Sequence, residues 1–294
     1  MGRAILLLLV VLSSCASRKE LPQVVPLGKT PLVSENAAVV YDQYFLRFPT
    51  AGVFQAHEGL DDKFTKEGSS VLCLPAALAF ALLQERDMNP KAKGLVLKGT
   101  SADGATADAN VLIRDLVECT KTDLEKGTKT YNAIACLNRI FAASELTADI
   151  HFVARWEPES ATKLDRNVKH VNRLATPADI QRFLRAGYNV IAAVDFYQFQ
   201  KGTGWTIGKG HVINIGGFSR QNSWPPELLN LYVHDPFFSF DQTDYPVFDS
   251  VLMSKSRVET NLASFTTAYF LEGYPFPGLA SRVFLSELLI FKTR

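Results

Sequence analysis

Hydrophobic residues recur along the chain at spacings that predict helices in its first half and strands in its second. Ser69-Ser70 leads into Val71-Leu72-Cys73-Leu74-Pro75 and an apolar run that continues to Leu83. The run is rich in good helix formers, and Pro75 fits a first helical turn, where its missing N–H costs nothing. Val111, Leu112 and Leu116 repeat at helical spacing up to Cys119, and Ile134, Leu137, Ile140 and Phe141 do so around Cys136. Thr176-Pro177-Ala178-Asp179 predicts a capped helix start, with Ile180, Phe183 and Leu184 as its apolar face and Gly187 as its stop.

The strand signals differ in kind. Asp149–Ala154 predicts a short strand, and Val190-Ile191-Ala192-Ala193-Val194 predicts a strand buried on both faces. Gly202, Gly204 and Gly208 predict a mobile loop before a strand that His211 opens, running to Phe218. Leu231-Tyr232-Val233-His234-Asp235-Pro236 predicts a strand ended by an aspartate. The charged stretch from Arg155 to Lys169 predicts an irregular surface excursion. The tail from Asp249 carries apolar runs at Ala268–Leu271 and Val283–Phe291 that complete the core or pack on the sheet, and Asp244-Tyr245-Pro246 predicts a turn.

Composition bounds the class. The chain has 294 residues, 47% of them hydrophobic and 21% charged, which is ordinary for a globular protein with a sizeable core. Its 31 basic and 30 acidic residues leave a formal net charge of +1, so no charged field argues for a nucleic-acid or polyanionic partner.

The amino terminus changes the picture. Met1-Gly2-Arg3 is a short positive segment, and Ala4 to Leu12 is an apolar stretch too short for a durable membrane span. Leu12-Ser13-Ser14-Cys15, directly after it, resembles the lipobox of bacterial lipoproteins, in which the cysteine is lipidated and becomes the new N-terminus. An ordinary cleaved secretory signal is the other reading. The lipoprotein reading implies a signal peptide over 1–14, a lipidated N-terminus and flexible tether over 15–37, and a folded domain over 38–294 that begins where Val39, Val40, Tyr41 and Tyr44 become dense. Multiple acyl chains hold a protein to a membrane where one binds only marginally. Ala16 and Ser17 carry no acidic retention signal, which by the resemblance favours the outer membrane of the cell envelope over the inner.

With Cys15 assigned to lipid, three cysteines remain. Cys119 and Cys136 lie on neighbouring helices and are either a disulfide of an oxidising compartment or two reduced buried thiols. No cysteine or histidine spacing fits a structural zinc site, and Asp103 and Asp108 lack the ligand spacing of a calcium loop. No metal or cofactor is expected. His57, His151 and His170 read as surface or packing residues. Trp205, before His211, reads as packing or as the lining of a substrate subsite.

Cys73 is the thiol left over. A helix N-terminus supplies unpaired backbone N–H groups and the positive end of the helix dipole, which favour a thiolate. Nucleophilic cysteine needs a base in reach, and the base needs a third group to fix its tautomer. If the strands of His211 and Asp235 pair antiparallel, the start of one faces the end of the other, and these two side chains meet. Gly210 leaves room beside the imidazole, and by alternation His234 points to the opposite face from Asp235.

Cys73-x-Pro75-Ala76-Ala77, the helix, Gly187 and buried strand that follow, Gly210-His211-Val212-Ile213 and Val233-His234-Asp235-Pro236 together resemble papain-like cysteine peptidases. The resemblance is greatest to the branch of bacteriocin-processing, double-glycine-leader peptidases and spans roughly Phe64 to Phe238. It implies an α+β papain-like fold, with a helical part carrying the cysteine at a helix N-terminus against an antiparallel sheet carrying histidine and aspartate. It also implies Cys73 as nucleophile, His211 as general base and then acid, and Asp235 as orienter, acting on a peptide, a protein or cell-wall peptide.

Two positions depart from the family. Leu74 stands where a glycine or another small or aromatic residue usually follows the nucleophile. Glu67 stands where the family places its oxyanion-hole glutamine. A carboxylate cannot donate to an oxyanion unless protonated, so Ser69, Ser70 or the Cys73 backbone N–H is expected to substitute; otherwise activity is slow or absent. The same triad order also fits transglutaminase-like acyl transfer, and the Glu67 departure fits a binding protein with degraded catalysis.

Overall fold

The structure is a computed structural model, and it describes residues 41–45, 70–100, 108–155, 164–165, 167–200, 204–221, 223–226, 228–236, 249–258, 266–272, 274 and 281–294. The chain divides into two compact units, Met1–Thr30 and Pro31–Arg294, and every described residue belongs to the second. That unit is mixed α+β. Its helices are α1 (Cys73–Met88), α2 (Ala109–Cys119), α3 (Thr130–Ala143) and α4 (Pro177–Arg185). Its strands are β1 (Tyr41–Phe45), β2 (Ala148–Ala154), β3 (Lys169–Val171), β4 (Asn189–Gln200), β5 (Gly204–Gln221), β6 (Leu229–His234), β7 (Asp249–Val258), β8 (Thr266–Glu272) and β9 (Ser281–Thr293).

All strand pairs are antiparallel except β2 with β3. The order β5-β6-β7-β8-β9 is closed by β4, which pairs with both β5 and β9. The seam between β8 and β9 is a single pair, Phe270 opposite Phe284. Six strands thus form a closed barrel. β1 extends it along β5, and β2 and β3 extend it beyond β9.

β4 shows how one apolar run serves two cores. Val190, Ala192, Val194 and Phe196 alternate into the barrel, where they meet Ile213, Ile215, Val233, Leu285 and Leu288. Ile191 packs on the other face with Val212, Leu289, Phe291 and the buried sides of α1, α2 and α3. A strand covered on both faces has no polar side to alternate with, which is why Val190–Val194 reads as a continuous apolar run.

α1 is pinned along its length. Phe80, two turns after Cys73 and on the same helical face, stacks on the His234 ring with centroids 4.0 Å apart. Near the far end, buried Glu85 accepts from Asn189 Nδ2 at 2.5 Å, from Asn89 Nδ2 at 2.6 Å and from the Thr293 backbone N–H at 2.7 Å. These bonds tie the helix to the first residue of β4 and the last of β9, so its N-terminus is held over β5. At α4, the Thr176 hydroxyl accepts from the Asp179 N–H and the Asp179 carboxylate accepts from the Thr176 N–H, a complete capping box. Gly187, at φ +76°, follows the helix end in the left-handed region that glycine adopts without steric cost.

Two expectations are corrected. Of the glycines expected to make a mobile loop, Gly204 and Gly208 lie within β5, which begins at Gly204 and pairs with β4 as far as Gln200, and Gly202 lies outside the described residues. Long-range pairing supplies the backbone hydrogen bonds there, and it overrides the local turn preference of glycine. Most of the expected irregular excursion, 156–163 and 166, lies outside the described residues, and its last residue, Lys169, opens β3 on the edge of β2. The tail is more than a cover: β7, β8 and β9 form half of the barrel.

Candidate active site

Cys73 is the first residue of α1, entered from a 3-10 turn over Ser70–Leu72. Leu72, which precedes it, makes no side-chain capping bond to the helix N-terminus. The thiol is free and 9% exposed. His211 lies on β5 opposite Val194 of β4, and by alternation shares the barrel-facing side with Ile213 and Ile215. Asp235 is the residue after β6, whose last residue, His234, pairs with Asn214. The end of β6 pairs with the middle of β5, His234 facing Asn214, and there His211, which lies inside β5 and does not open it as expected, meets Asp235.

His211 Nε2 and Asp235 Oδ1 are 2.7 Å apart, with His211 6% and Asp235 5% exposed. Cys73 also acts on the His211 ring, through side-chain hydrogen bonding and charge, and with Nε2 committed to Asp235 the ring nitrogen left to face the thiol is Nδ1. Burial opposes charge on the ring, but the hydrogen bonds to Asp235 and Cys73 and the charges of those groups outweigh it, raising His211 to about 10. The shift favours the imidazolium form of the ring.

Three neighbours were not foreseen. Tyr274, 8% exposed, donates its phenolic hydrogen to Asp235 Oδ2. Phe196 neighbours both the tyrosine and the histidine, with ring centroids 6.2 Å from each. Asp195 pairs with Gly210, the residue before His211. A Cβ built on Gly210 would meet Asp195 Oδ1 at 3.5 Å, ordinary contact, so the space beside Gly210 accommodates a methyl group. Burial, with the charge of Glu287 added, raises Asp195 to about 6 against a hydrogen bond from Ser286. Period-two alternation along β4 was the signal available for Phe196 and Asp195. No local signal marks Tyr274, which stands outside a regular strand in Glu272-Gly273-Tyr274-Pro275.

His234 points away from Asp235, onto Phe80 of α1, as alternation predicts. Burial, against the nearby charge of Asp235, lowers it to about 4, which favours the neutral ring, the opposite of His211. Cys119 and Cys136 form a disulfide joining the end of α2 to α3. His170 stacks on Phe152 and lies 3.2 Å from the Ala154 carbonyl oxygen, while His151 lies 3.5 Å from Asp149. Trp205 is in β5, opposite Phe199. Ser70 opens the 3-10 turn before Cys73. Cys15, His57, Glu67, Ser69, Asp103 and the turn at Asp244–Pro246 lie outside the described residues, as do the expected signal peptide and tether.

Among the described residues no group of histidine, cysteine or acidic side chains is arranged to hold a metal ion, and no helix is long and apolar enough to cross a membrane. In comparison with known proteins, no family model and no curated protein matches the chain.

Proposed function

We propose that the chain is a lipid-anchored thiol hydrolase of papain-like architecture, cleaving peptide or amide bonds through an acyl-enzyme on Cys73. The observation that carries the reading is the His211–Asp235 pair beside Cys73, at a helix N-terminus set against an antiparallel barrel. A thiol beside a charged imidazole, oriented in turn by a buried carboxylate, is the arrangement an activated cysteine nucleophile needs.

The steps follow from those positions. The Cys73 sulfur, its proton held by His211, attacks the carbonyl carbon, and charge gathers on the carbonyl oxygen. The Cys73 backbone N–H and the positive end of α1 face that charge and stabilise it. The carbon–nitrogen bond then breaks as His211 gives its proton to the departing amine. Water, losing a proton to His211, hydrolyses the thioester and frees the sulfur. Asp235 holds the ring in one tautomer throughout. The acyl chains on Cys15 keep the domain in the cell envelope, the outer membrane in preference to the inner, where peptides and cell-wall peptide are the available substrates.

The test is labelling of the purified full chain by a peptidyl vinyl sulfone, read by peptide mapping. The expected result is modification of Cys73 in the native protein and its loss in His211→Ala. Labelling no faster than that of a free cysteine, unchanged by His211→Ala, overturns the proposal. Adding a primary amine with a peptide substrate separates hydrolysis from acyl transfer, since a hydrolase leaves the amine unattached.

A further inference from the structure

We propose that Tyr274 is a positioning residue for the catalytic machinery, acting through Asp235 to hold His211 as the imidazolium that faces Cys73. The inference rests on the thiol-hydrolase reading and goes beyond its three residues.

The argument begins with the carboxylate. Asp235 follows the last residue of β6, so no strand pairing of its own fixes its side chain, and the terminal torsion of an aspartate is broad. Its two oxygens have different partners: Oδ1 faces His211 Nε2 at 2.7 Å, and Oδ2 accepts the Tyr274 hydroxyl. A carboxylate held at both oxygens cannot rotate without breaking one bond. That restraint keeps Oδ1 aimed at the imidazole.

The phenol is itself well placed. Tyr274 is buried, and its ring packs 6.2 Å from Phe196, whose ring also lies 6.2 Å from that of His211. Tyrosine and histidine thus share both an aromatic neighbour and the Asp235 carboxylate. Among the described residues, the charged and titratable groups that act on this pair include Cys73, His211, His234 and Asp235. The phenol is a neutral donor among them. A hydrogen bond to a buried carboxylate favours its ionised form, and an ionised Asp235 is what keeps the second proton on the imidazole. Loss of the hydroxyl favours the neutral pair, with the shared proton moved from Nε2 to the carboxylate, and frees the carboxylate to turn.

The test uses the full chain with ¹⁵N-labelled histidine at pH 7, reading the protonation of the His211 ring nitrogens by NMR and the rate of Cys73 alkylation by iodoacetamide by peptide mapping. In the native protein both ring nitrogens carry protons. Tyr274→Phe keeps the ring that packs on Phe196 and removes only the donor. The expected result is partial loss of the doubly protonated ring and alkylation slower by about tenfold. In an Asp235→Asn background, Tyr274→Phe adds no further effect, because the partner through which it acts is gone. Site-specific 3-fluorotyrosine at 274, a stronger donor of the same shape, retains the imidazolium and a rate within about twofold of native, and supplies a reading should the phenylalanine variant not fold.

Unchanged ring protonation and alkylation in Tyr274→Phe overturn the inference, as does an equal loss with and without the Asp235 carboxylate. Loss of the imidazolium in the fluorotyrosine protein also overturns it. Native Cys73 reacting no faster than a free thiol, whatever stands at 274, defeats the thiol-hydrolase reading instead.

Discussion

His211 and His234 are both buried, and their surroundings drive them apart. His211 has a carboxylate on one nitrogen and the Cys73 thiol facing the other, and is raised to about 10; His234 has the apolar face of Phe80 and is lowered to about 4. Asp195 is pushed in the direction that costs stability. Burial, followed by the charge of Glu287, raises it from 3.8 to about 6. The folded state therefore binds more protons than the unfolded chain between those values, and stability falls as pH rises through the window. Asp195→Asn removes the charge, so its melting temperature should exceed that of the native protein at pH 8, with the gain fading as the pH is lowered toward 4. A gain of equal size at pH 8 and pH 4, or none at pH 8, contradicts this placement of Asp195. Cys73 and Asp235 were legible as single residues because each stands beside a local landmark, a helix start and a strand end; His211 was read from its glycine neighbour and the apolar run after it, although β5 begins earlier, at Gly204. Tyr274 was not, since its value lies wholly in a contact with Asp235, made across β7 and β8 with no periodicity to announce it.

At the scale of elements, α2, α3 and α4 follow their apolar spacing, and α2 and α4 also their caps. Thr176-Pro177-Ala178-Asp179 was readable because a capping box is complete within four residues. The register of α1 was not readable. It depends on Phe80 meeting His234 and on Glu85 meeting Asn189 and Thr293, contacts between segments far apart in sequence. The long β5 was misread for the same reason, since its glycines look like a loop until β4 is there to pair with them. The disulfide couples α2 to α3 beneath α1, joining residues with a sequence separation of 17. Closing a loop of that size stabilises a protein by about 3 kcal/mol through the entropy of the unfolded chain. Replacing Cys119 and Cys136 together by serine should lower the free energy of unfolding by about that amount in urea titration. A difference within error contradicts a structural role for the bridge.

The described residues of the second unit form a helical layer and a barrel with separate cores, and the candidate site lies where the N-terminus of α1 meets β5 and β6. Alternation along β4 and β5 made a sheet covered on both faces legible. Closure into a barrel was not, because the seam is the single pair Phe270–Phe284 and no local pattern encodes it. Under the proposed function the labour is divided: the helix supplies the nucleophile and its dipole, and the barrel supplies the base, the orienter and the buried phenol behind it. The central claim is that Cys73 forms an acyl-enzyme with His211 as its proton partner. It is tested most directly by rapid mixing with p-nitrophenyl acetate, following nitrophenolate release and mapping the acetyl group by mass spectrometry. The account predicts a stoichiometric burst, a transient acetyl group on Cys73, and loss of both in His211→Ala. Nitrophenolate release without a burst, no acetyl group on Cys73, or a burst that survives His211→Ala contradicts it.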